Sequence, residues 1–121
     1  MTYEACAQRL RSDHRKGARF AAYARNYGVM DLPGAYAAQA AHVAAMCAEG
    51  LGRPIGWKIG LTSKRTQELC GIDQPVAGVV LSSRHHDSGT TVSTGDYGRI
   101  GLEFEICLSR GRQPAASRQA L

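Results

Sequence analysis

No run in this sequence approaches the roughly 20 consecutive apolar residues that a bilayer-spanning helix needs. The opening stretch, Met1 to Lys16, carries charges throughout and has no apolar centre, which argues against a secretory signal and predicts the cytoplasm. Close cysteine pairs are also missing. Cys6, Cys47, Cys70 and Cys107 lie far apart, which excludes a zinc site built from Cys-x-x-Cys units. In a reducing compartment all four are expected as thiols, with Cys47 and Cys107, set in apolar segments, packing as small hydrophobes. Aromatics are sparse at 7% and do not interleave with a basic stripe, so a nucleic-acid surface is not indicated. The 14 glycines follow no period, which excludes collagen, and no internal repeat is present.

What the chain does have is an ordinary globular balance, 44% hydrophobic and 21% charged over 121 residues, enough to bury the core of one domain. Its net charge of +5 is terminal. Basic residues outnumber acids in residues 1–25, and Arg110, Arg112 and Arg118 stand without acids near the end. Between these regions acids are in slight excess, so the charge reads as solvated arms.

Tyr3, Cys6, Ala7 and Leu10 recur at helical spacing, and the Ala-rich stretch 18–27 predicts a second helical segment. Asp31 before Leu32-Pro33 reads as an N-cap with proline in the first turn. The helix it opens runs to Glu49 and stops at Gly50. It is almost uncharged and is expected to pack against something, in this chain or another. After Gly52-Arg53-Pro54 the period becomes two: Ile55, Trp57, Ile59 and Leu61 alternate with Gly56, Lys58 and Gly60. Thr62 or Ser63 caps a short helix to Cys70, closed by Gly71. Residues 79–81 predict a short strand, 82–96 a loop or hairpin, and 99–108 a second clear strand. The organisation is therefore α+β: a helical region over 1–54, a β-rich region over 55–108, and a polar tail over 109–121 that reads as disordered.

Three features carry chemistry. On the strand predicted over 99–108, Glu103 and Glu105 project the same way with Cα atoms about 7 Å apart, opposite Ile100, Leu102, Phe104, Ile106 and Leu108. Such a pair suits a hard divalent cation, although a wet polar strand face explains the spacing as well. Lys58 shares its face with Gly56 and Gly60 and suits proton transfer if burial lowers its pKa; the plainer reading is a surface lysine. Thr62 and Ser63, beside Lys64 and Arg65, offer a helix N-terminus able to hold a carboxylate, or simply cap the helix. His85 and His86 would point to opposite faces if extended, and His14 and His42 show no partner pattern.

The segments Gly56-Trp57-Lys58-Ile59-Gly60-Leu61-Thr62-Ser63-Lys64, Gly71-Ile72-Asp73-Gln74-Pro75 with Gly78, and Leu102-Glu103-Phe104-Glu105-Ile106 occur in order, preceded by Ala35-Tyr36-Ala37-Ala38-Gln39. Together they resemble the 2-keto-4-pentenoate hydratase / 4-oxalocrotonate decarboxylase family of the fumarylacetoacetate hydrolase-like superfamily. The resemblance implies part of a mixed β-roll following the amino-terminal helices. It also implies Mg²⁺ or Mn²⁺ held by Glu103 and Glu105, Lys58 as the active-site lysine, and Thr62, Ser63 and Gln74 at the substrate. The implied substrate is a small 2-oxo or 2-hydroxy enoic acid from the meta-cleavage breakdown of aromatic compounds, with neither nucleic acid nor membrane as partner. Hydration of 2-hydroxypenta-2,4-dienoate is the leading activity, and decarboxylation of 4-oxalocrotonate is the alternative on the same scaffold.

Two departures stand out. Family members are longer and place a third acidic ligand further along, and residues 115–121 do not resemble them. Val76 stands where many hydratases have an acid, an apolar choice closer to the decarboxylases. A truncated, inactive fragment or an interaction subunit is therefore a third reading, with an uncovered strand as its contact. Family members also tend to form homo-oligomers.

Overall fold

A computed structural model describes residues 2–19, 21–22, 24–97 and 100–109. Thr2 caps helix α1 (Tyr3–Arg15), its side chain accepting from the Ala5 N–H. Glu4 in the first turn and His14 and Arg15 in the last complement the helix dipole. Asp31 Oδ1 accepts from the Gly34 N–H at 2.8 Å and opens α2 (Leu32–Ala48). A Cβ built on Gly34 would lie 3.0 Å from that same Oδ1, tight against the cap, and in ordinary contact with the Tyr3 hydroxyl at 3.6 Å.

The two helices pack on each other through small side chains. Cys6, Val29 and Ala38 form the buried cluster, with Tyr27 against it. Removing such groups from water contributes only about 0.8 kcal/mol per CH₂, so the helix pair draws on polar links as well. The nearly buried Arg11 guanidinium holds the Glu49 carboxylate just beyond the end of α2, and Arg15 approaches it at 3.8 Å. The expected packing partner of the uncharged α2 is therefore found within the chain.

Strand β1 (Pro54–Gly60) pairs antiparallel with β2 (Val76–Leu81), with an irregularity between Pro54 and Gly56. Trp57 lies opposite Val79, Ile59 opposite Ala77, and Lys58 opposite Gly78. Ala77 is also tied to α2: its N–H donates to the Tyr36 hydroxyl and its carbonyl accepts from Gln39 Nε2, each at 3.0 Å. Two side chains one helical turn apart thus satisfy both outward backbone groups of an edge strand. Between the strands, Ser63 caps α3 (Lys64–Cys70), and Gly71 ends it in the left-handed conformation with φ 66°. The architecture is mixed α+β: an α-helical pair, a two-stranded hairpin and a short connecting helix.

Four expectations are corrected. Of the helix expected over 18–27, the described residues form only a 3-10 turn at Ala24–Tyr27, and described residues 18, 19, 21 and 22 before it are exposed. The short strand begins at Val76, earlier than residue 79. Of the strand expected over 99–108, the described part does not form: residues 100–109 carry no regular secondary structure. Among the described residues no strand pairs with it, and an extended segment without a ladder partner leaves its backbone to solvent. Its apolar side chains are accordingly exposed, Phe104 at 99% and Ile106 at 93%. Cys107 is exposed too and Cys47 only half-buried, while Cys6 sits in the core; all four are free thiols. The tail expected to be disordered lies, from residue 110, outside the described residues.

Candidate functional site

The hairpin has two unlike faces. Trp57, Ile59, Ala77 and Val79 lie on one, and a groove there is shared with Tyr36, Val43 and Cys47 of α2. Lys58 lies on the other, between Gly56 and Gly60 along its strand and opposite Gly78. A Cβ added at Gly56 or Gly78 would meet nothing within 4 Å, so the ammonium stem stands in open space.

Glu103 and Glu105 reach that space together. Lys58 Nζ donates to Glu103 Oε2 at 2.8 Å and to Glu105 Oε1. The three side chains, with Gly101 and Leu102, line one open cleft. The hydrogen bond it donates to Glu103, followed by that to Glu105, holds the Lys58 ammonium above the usual lysine range. The same contact with Lys58 holds the Glu103 carboxyl below the usual carboxylate range. The condition of a burial-lowered lysine is thus not met. Lys58 is about half exposed, and its environment favours the charged proton-donor form.

The other candidates lie elsewhere. Thr62 is exposed at the exit of β1. Ser63 caps α3, its Oγ accepting from the Thr66 N–H at 3.3 Å. Gln74 lines a separate cleft with Lys64, Gln67 and Asp73, bounded by the start of α2 at Asp31 and Leu32. The structure therefore gathers Lys58, Glu103 and Glu105 and leaves Thr62, Ser63 and Gln74 outside that cleft.

Sequence reasoning missed Gln67. This residue is 5% exposed and donates from Nε2 to the Leu61 carbonyl at 2.8 Å. Leu61 has φ 55°, a left-handed conformation that costs a branched residue energy, directly after the strand that carries Lys58. The Gln67 bond helps hold it there. A glutamine in a short helix gives no local sign of that role. Tyr36 and Gln39 did carry a sign, their spacing three residues apart, but not their target.

Among the described residues no group of three or more His, Cys, Asp or Glu side chains is placed to hold a metal ion, and no helix is long and apolar enough to cross a membrane. No protein-family model matches the chain. Over 118 residues, 98% of its length, it is 33% identical to 2-keto-4-pentenoate hydratase 2 of Dechloromonas aromatica (strain RCB), covering 45% of that protein. The chain is a homologue of the 2-keto-4-pentenoate hydratases. A second such enzyme from the same organism, 2-keto-4-pentenoate hydratase 1, is 32% identical over 98% of this chain and 44% of its own length. TodF product hydratase of Pseudomonas putida is 33% identical over 85 residues, 70% of this chain. The chain spans less than half the length of the curated relatives it matches.

Proposed function

We propose that the chain contributes the lysine and acid pair of a hydratase site that adds water to a 2-hydroxypenta-2,4-dienoate (2-keto-4-pentenoate) type acid. The observation that carries this reading is the convergence of Lys58 with Glu103 and Glu105 in one cleft, in a homologue of hydratases. The same reading makes the hairpin and residues 100–108 part of a fumarylacetoacetate hydrolase-like β-roll. It also assigns Thr62, Ser63 and Gln74 to substrate binding, from outside the cleft that holds Lys58.

The acid pair suits Mg²⁺ or Mn²⁺ as a partial donor set: two carboxylates on one side of the chain, Glu103 kept ionised by its neighbour, in a cleft open to solvent. Bound there, the cation would supply positive charge toward an α-keto acid's oxygens. Lys58 does the rest of the local work. Its ammonium attracts the substrate carboxylate and is poised to give a proton to the conjugated chain. The glycines beside and opposite it leave the substrate room to approach.

Val76 favours a second reading. This apolar, half-buried first residue of β2 faces Gly60 and offers no carboxylate for activating water, which suits a decarboxylase of 4-oxalocrotonate. Incubating the chain with Mg²⁺ and 2-hydroxypentadienoate, and separately with 4-oxalocrotonate, distinguishes them. Loss of dienoate absorbance supports hydration and release of CO₂ supports decarboxylation. Silence in both, with no Mn²⁺ bound, favours an inactive fragment.

A further inference from the structure

The Lys58 ammonium bonds both carboxylates at once, so it stands where a shared cation would stand. An ammonium is a compact monovalent cation with three donors and no acceptor, and it meets carboxylate oxygens much as a metal ion does. Residues 101–105 have no strand partner among the described residues, and these two ion pairs connect their acids to the hairpin. We propose that Lys58 is the built-in counter-cation of Glu103 and Glu105, so that divalent-cation uptake and release of Lys58 are one exchange. The inference rests on the reading of the two glutamates as cation ligands.

The exchange has a direction. A divalent ion brings twice the charge to two oxygen donors, so it displaces the ammonium, and Lys58 stays charged throughout. The freed side chain has somewhere to go, because the space at Gly56 and Gly78 is open and only Val76 lies close to Gly60. Without the cation, Lys58 is occupied by the chain's own acids. With the cation, it is available to a carboxylate from outside. Cation loading therefore precedes capture of the acid substrate.

Calorimetric titration of the full chain with Mn²⁺, for wild type, Lys58→Met and Lys58→Arg, tests this, with circular dichroism to check folding. The exchange requires Lys58→Met to bind Mn²⁺ roughly tenfold more tightly, since no ion pair must break first. Lys58→Arg keeps the charge but grips both carboxylates through a planar fork, and should bind more weakly than wild type. In wild type, the NMR signal of the Lys58 ε-methylene should move with the midpoint of Mg²⁺ binding. Equal affinities in all three proteins with a stationary signal would overturn the exchange and leave the cation site intact. A tighter Lys58→Met with Lys58→Arg equal to wild type is through-space repulsion alone, and overturns it too. Absence of binding in every protein removes both the exchange and the cation site.

Discussion

Lys58 and Glu103 shift each other in opposite directions, and that reciprocity is the residue-scale signature of the site. The lysine, bonded first to Glu103 and then to Glu105, is raised; Glu103, bonded to Lys58, is lowered. A carboxyl whose folded pKa is depressed contributes stability that is present above its unfolded value and is lost as pH falls through the folded one. At the other end, the raised ammonium keeps the contact intact through and beyond neutral pH. Carbon-detected NMR of the Glu103 side chain should therefore show a midpoint below the ordinary carboxylate value. Lys58→Met should return it to that value. Identical midpoints in the two proteins would mean that the contact does not persist in solution.

Elements whose signals act within a few residues were the readable ones. Asp31 and Ser63 each accept from an N–H three residues on, and Gly71 takes the left-handed turn, so α2 and α3 follow from local chemistry. The stretch 18–27 shows the limit. Alanine favours helix, but a segment this short needs a packed face to stay helical, and its described flanks are exposed. The bond from Ala77 to Tyr36 was not readable either, because its partners are 41 residues apart and meet only after the hairpin docks on the helix. Tyr36→Phe keeps the ring and removes the acceptor, leaving a partly buried backbone N–H without it. The expected cost is about 1–3 kcal/mol, measured as a lower midpoint in urea unfolding. Gln39→Ala should cost a similar amount, and the double variant less than their sum, since both act on Ala77.

For the whole molecule, spacing placed the two acids on one side of their segment but did not show what covers the other. Glu103 and Glu105 share one side of their segment as expected and meet Lys58 there, whereas the apolar side is left bare. Phe104, Ile106 and Leu108, each more than 90% exposed, form a patch of the kind that drives association. Light scattering should show mass rising with concentration, and Phe104→Glu should reduce that rise. In the helix pair, acid stability is governed by burial of a titrating group. His42 on α2 faces the Ala7 backbone, His14 and Arg11 of α1, and Glu49, and its ring lies 6.0 Å from that of His14. Burial is the main reason its pKa is lowered, and its buried Nδ1 has no hydrogen-bond partner among the described residues. The unfolded chain takes up that proton near pH 6.5 and the folded one resists, so stability falls as pH drops below about 6.5 and levels off under the folded value. Glu49, lowered chiefly by its bond to Arg11, adds a second loss further down, as pH falls through its own depressed value. Melting temperature should therefore hold steady around neutral pH and descend in two steps as pH falls. His42→Gln should erase the upper step and keep the lower, while Glu49→Gln should keep the upper step and shrink the lower, to which Glu103 also contributes. A His42→Gln protein that follows the wild-type curve through the upper step would place the acid sensitivity of the helix pair in some other group.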